Sequence, residues 1–215
     1  MLKPVKVAFG KFIERYYASL VPTTEAILSF KSRGIPYSIV WAPARMVDSA
    51  EELLSKWFSS PIGGPLPKLP VILVAMAKDY IPTGRDFSRQ IADETTVLFP
   101  EDDTNQPFGL RAVVGTIRAQ IAIFAHDEST ARSLAAQFLL FLDKTGNRVF
   151  WATYTHEGHT ANWPVEVETP EVSAIAGQVE AKNITILTID LSLMATIPFY
   201  SSADPLISEV DFFPL

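Results

Sequence analysis

This sequence predicts an α+β protein: a mainly antiparallel β-sheet with helices packed against one face. Three observations carry that expectation. Apolar and polar residues alternate with period two over residues 116–125 and again over 184–197. Between these two stretches, and again at the start of the chain, apolar residues recur at helical spacing. The composition, 48% hydrophobic and 20% charged over 215 residues, is that of a chain able to bury a substantial core.

In chain order, Val5, Phe9, Phe12, Ile13, Tyr16 and Leu20 place an amphipathic helix in the first twenty residues, weakened slightly by Gly10. A second helix is expected from Thr23 or Thr24 to Arg33, with a hydroxyl cap before Glu25 and Gly34 at the C-terminal cap position. A strand over 37–41 follows, ended by Pro43. Ser49 and Glu52 have capping-box spacing, which predicts a helix over 50–58. Residues 59–70 hold four prolines and the Gly63–Gly64 pair, so they form a loop or a joint between subdomains. The apolar run 69–77 predicts a strand buried on both faces. Residues 78–109 are turn-rich, acidic around Glu101, Asp102 and Asp103, with a short strand over 95–99.

The second half is more regular. Ile117, Ala119, Ile121 and Ile123 line one face of a strand, and Arg118 and Gln120 the other. Asp127 or Ser129 caps a helix whose stripe is Ala131, Leu134, Ala135, Phe138 and Leu142, with Gly146 closing it. Strands are expected over 149–155 and 163–167. Over 184–197, Leu187, Ile189, Leu191, Leu193 and Ala195 share one face, while Thr188, Asp190, Ser192 and Thr196 share the opposite one. So long a strand needs an antiparallel partner, and residues 116–125 match it in length and pattern. The expected organisation is a helical and extended N-terminal subdomain or elaboration (1–109), an α+β sheet core (110–200) and a C-terminal arm (201–215).

Charge and motifs exclude several functions. A net charge of −6 and a pI of about 5.1 disfavour sequence-independent nucleic-acid binding, which needs a basic surface to neutralise phosphates. The chain has no cysteine, which removes disulfides, thiolate nucleophiles and cysteine-ligated metals and fits synthesis in a reducing cytoplasm. No apolar run is long enough to cross a bilayer as a helix, and lysines interrupt the first twenty residues, so neither a membrane span nor a secretory signal is expected. Gly-x-Ser-x-Gly elbows, phosphate loops and dinucleotide fingerprints are all missing.

His156, Glu157 and His159 sit together, but zinc proteases space their two histidines by four on a helix; here the spacing is three, in a segment (155–160) expected to be a solvated loop. Glu166 and Glu168 alternate with Val165 and Val167, as on the wet face of a strand. The expectation is therefore no catalytic residue, no metal and no cofactor. A small metal-dependent hydrolase using the two histidines and Glu157 is the alternative from another functional class. Candidate protein-interface residues are Arg118, Gln120 and Asp190 on the polar strand faces, with Ser192 and Thr196 beside them, and the large apolar groups Trp163, Phe212 and Phe213.

The run Ile117-Arg118-Ala119-Gln120-Ile121-Ala122-Ile123, then Ala125-His126-Asp127 and a helix over 130–142, then Asn183-Ile184-Thr185-Ile186-Leu187-Thr188-Ile189-Asp190-Leu191, resembles the tail-terminator and neck proteins of tailed bacteriophages. The likeness spans about residues 110–200 and rests on pattern and order. It implies a virion structural protein, assembled in the host cytoplasm, that forms a ring, usually six-fold. Such a ring caps the tail tube and docks on the head connector, while DNA passes through the lumen without specific binding. A baseplate or sheath-associated part is the alternative among structural roles.

Overall fold

The computed structural model describes residues 2–42, 69–82, 95–99, 107–176 and 184–201. Its fold is α+β, with one curled, mostly antiparallel sheet and helices packed on it. The helices are α1 (Lys3–Ser19), α2 (Glu25–Ser32) and α3 (Glu128–Asp143), and a short 3-10 turn covers Ile35–Tyr37. The strands are β1 (Ile39–Trp41), β2 (Val71–Met76), β3 (Ile81–Pro82), β4 (Thr95–Val97), β5 (Phe108–Ala125), β6 (Val149–His156), β7 (His159–Val167), β8 (Ala174–Ala176) and β9 (Thr185–Ser201).

β5 and β9 form the spine of the sheet. They pair antiparallel without a break from Gly109↔Ser201 to Ala125↔Thr185. The spatial order is β1-β2-β5-β9-β7-β6; β3 and β4 also pair with β5, and β8 with β9. β1 and β2 are the parallel pair. The odd residues Ile117 to Ala125 of β5 and Leu187 to Ile197 of β9 face the helices and are buried with Phe9, Phe12, Ile27, Phe30, Leu134 and Phe138 in one core. A smaller apolar cluster, Val71, Leu73, Ala75, Ala122, Phe124 and Ile186, lies on the opposite face.

Local chemistry explains the helices. Thr24 sits in extended backbone at the N-cap of α2, and its hydroxyl accepts from the Ile27 amide. Asp127 does the same for α3, accepting from Thr130 N at 2.7 Å. α1 buries Val5, Phe9, Phe12, Ile13 and Tyr16, which the helical spacing singles out, together with Ala8 and Tyr17, and Leu20 is buried just past its end. The sheet curls enough for α1 to meet both ends of it: the Phe9 ring is 6.1 Å from Trp41 of β1 and 6.2 Å from Phe150 of β6.

Several expectations need correction. β5 starts at Phe108, eight residues before the alternation becomes regular, because β9 and β4 supply its pairing there. β7 starts at His159 and β9 runs on to Ser201. Tyr37 belongs to the 3-10 turn. α3 ends at Asp143, and Gly146 (φ +83°) serves the turn that follows instead of the cap itself. The described part of residues 1–109 contributes two helices and four strands to the same sheet and core as residues 110–200. The helix expected over 50–58 and the arm beyond Ser201 lie outside the described residues.

Candidate interaction surfaces

The segment expected to be a loop around the histidines is a tight hairpin. Glu157 (φ +47°) and Gly158 (φ +88°) occupy a two-residue turn, with His156 and His159 as the strand pair that flanks it. Two successive positive φ values match the right-handed twist of the strands they join, which is why glycine stands at one of the two positions.

Both imidazoles pack among aromatic rings. His159 stacks on Phe99 at 5.1 Å and lies 5.5 Å from Phe108. His156 stacks on Tyr200 at 5.5 Å. The turn residues Glu157 and Gly158 are exposed as expected, while the flanking histidines form one wall of an aromatic cluster with Phe99, Phe108 and Tyr200. Nε2 of His156 is buried, 3.8 Å from a Glu157 carboxylate oxygen. Among the described residues there is no group of three potential metal ligands.

Arg118, Gln120 and Asp190 come together on the helix-free face. Register places Gln120 opposite Asp190 and Arg118 opposite Ser192. The Gln120 amide donates to Asp190 Oδ1 at 2.9 Å. Gln120 is only 8% exposed, whereas Arg118 and Asp190 are open to solvent. Thr196 continues the row. Glu166 and Glu168 are exposed at its margin while Val165 and Val167 are buried, and the Glu168 amide donates to the Ser192 carbonyl. The row mixes both charge signs, so it has no continuous cationic track for a phosphate backbone.

Trp163 lies elsewhere. It is half-buried against the main core, and its indole N–H donates to the Tyr200 hydroxyl at 2.9 Å. Phe212 and Phe213 fall outside the described residues.

Two features escaped the sequence reading. The first is a tyrosine clamp: the Tyr80 hydroxyl donates to the carbonyls of Val113 on β5 and Ala195 on β9, at 2.7 and 3.2 Å. Its ring lies over Gly115, where a Cβ would collide with it and come within 2.7 Å of the Ile81 carbonyl. Burial first, and the neighbouring Tyr154 phenol second, push the Tyr80 phenol up to about 12. Glycine in the middle of a strand was the available signal, since it marks a close approach.

The second is a groove between α1 and β6, lined by Lys3, Pro4, Val7, Ala8, Lys11, Trp151 and Thr153. β6 ends the sheet, and among the described residues no strand pairs with its outer side. In a two-residue hairpin the flanking pair, here His156 and His159, is mutually hydrogen-bonded, and bonding alternates from there. Trp151, Thr153 and Thr155 therefore turn their backbone N–H and C=O groups outward. Pro164, which has no N–H to give, stands where β7 stops pairing with β9.

No protein-family model matches the chain, and no curated protein matches it.

Proposed function

We propose that this protein is a virion structural subunit of the tail-terminator or neck type, which acts without catalysis by closing into a ring between tail tube and head connector. The observation that carries the reading is the sequence of elements β5, α3, the β6–β7 hairpin and β9. In it a strand ends in a capped turn, a helix crosses the sheet, and a long strand returns along the whole of the first. That is the order on which the resemblance to phage terminator and neck proteins rests.

Other features support it. Among the described residues the sheet ends at β1 on one side and β6 on the other, and these edges differ in length and surroundings. Two unlike edges suit a heterologous contact, which generates a ring when the rotation closes. The mixed-charge polar row and the net charge of −6 suit a surface past which DNA moves without sticking.

The test is assembly. Purified protein, alone and mixed with tail-tube protein, is examined by mass photometry and negative-stain microscopy. A closed ring with a central hole, seated on tube ends, is expected. A chain that stays monomeric and binds neither tube nor connector would remove the reading.

A further inference from the structure

We infer that the groove between α1 and β6 is a strand-acceptor site, and that its occupant is the acidic, apolar segment 202–215 of a second copy of this chain. The inference rests on the ring-forming reading and deepens it by giving the ring a joint.

The groove has the two parts that strand addition requires: a β-edge that no other described strand pairs and a wall that reads side chains. Trp151 is 59% exposed beside that edge, and Val7 of the wall is 52% exposed, so in the single protomer the site is open. The wall is also cationic. α1 carries Lys3, Lys6, Lys11 and Arg15 against Glu14 alone, in a chain whose net charge is −6. Lys6 sits over the Trp41 ring at 4.7 Å, while Lys3 and Lys11 line the groove.

The complement is in the sequence. Residues 202–215 contain Asp204, Glu209 and Asp211 and no basic residue. In extended backbone, Glu209 and Asp211 project to one side and Val210 and Phe212 to the other. Laid along β6, such a strand turns its acids toward Lys3 and Lys11 and its apolar side toward the row of Trp151. Backbone bonds to the outward groups of Trp151, Thr153 and Thr155 supply affinity, and the charge pairs supply register. This gives Phe212 a burial site on a neighbour.

Because the chain has no cysteine, the contact can be trapped directly. Full-length Trp151→Cys protein is mixed with full-length Val210→Cys or Phe212→Cys protein under mild oxidation, with exposed Val21→Cys as the control partner. The expected result is a covalent heterodimer forming at least about tenfold faster than with the control. Adding Lys3→Glu and Lys11→Glu should abolish that advantage, and Glu209→Lys with Asp211→Lys in the partner should restore it. Rates no faster than the control overturn the inference. So does a chain carrying both Trp151→Cys and Phe212→Cys that closes only on itself, which would make the occupant its own segment. Preferential trapping of tube protein by Trp151→Cys would overturn it in favour of a different partner. A ring that forms undiminished with Glu209→Lys and Asp211→Lys removes this joint and leaves the ring reading intact. Cross-linked copies that never close into a ring do the opposite.

Discussion

Tyr16 and Tyr154 are both buried, yet their hydroxyls do different work. Tyr16 donates to the Leu134 carbonyl at 2.8 Å, tying α1 to α3, and burial holds its phenol far above the ordinary value. The Tyr154 hydroxyl has no hydrogen-bond partner among the described residues. Tyr16→Phe should therefore cost about 1 kcal/mol in urea unfolding, and Tyr154→Phe clearly less. Their neighbourhood also sets an alkaline limit. Burial, with a nearby phenol second, pushes Tyr80 and Tyr154 up to about 12. Folded values above the unfolded value of about 10 mean that this stability is complete below that pH and falls as pH rises toward 12. Tyr154→Phe should make the alkaline fall shallower. Asp127 is the acidic counterpart: hydrogen bonds from the Ser129 hydroxyl and the Thr130 amide hold its carboxyl below the usual range. Its contribution is present above the unfolded value, near 3.9, and is lost as pH falls through the lower folded value. Asp127→Ala should cost about 1 kcal/mol at pH 7 and less near pH 3.

At the scale of elements, the β5–β9 ladder governs what local patterns leave open. Residues 119–124 of β5 form the longest stretch paired on both sides among the described strands, by β2 and by β9. Their amides should exchange with solvent most slowly in the molecule, and uniform protection along all of β5 would contradict this. Gly115→Ala should destabilise by about 1–3 kcal/mol, because the new methyl meets the Tyr80 ring and the Ile81 carbonyl. Adding Tyr80→Ala should relieve only part of that, since the carbonyl stays. Elements with a strong period of their own were legible: α1, α2, α3, the regular half of β5 and most of β9. The stretch from Phe108 to Gly115 was not, because two glycines and an irregular apolar pattern hide a strand that its partners define. The turn at the histidines was legible, but not its tightness, because the strands run almost to it and leave only Glu157 and Gly158 as central residues. Of the interaction surfaces, the polar face holding Arg118, Gln120 and Asp190 was visible as alternation. The Gln120–Asp190 bond needed the register. The α1–β6 groove joins the start of the chain to its third quarter, and no local pattern reports such a contact.

Across the whole molecule, one sheet curls around one helical layer, and α1 binds the two ends of that curl. The Phe12 ring lies 4.9 Å from Phe150 of β6 and 6.2 Å from Phe138 of α3, without exposure to solvent. Phe12→Ala should cost about 3–5 kcal/mol and loosen β6 along with α1. A curled sheet whose β6 edge pairs with no other described strand, a cationic groove beside that edge and an acidic, apolar segment in the sequence suit the joining of copies to one another. The central claim is that these copies close into a ring on the tail tube. Negative-stain class averages of the protein mixed with tube protein test it most directly. Closed rings with one symmetry and a central hole, capping tube ends, are what the account predicts; uniformly monomeric particles beside bare tubes would contradict it.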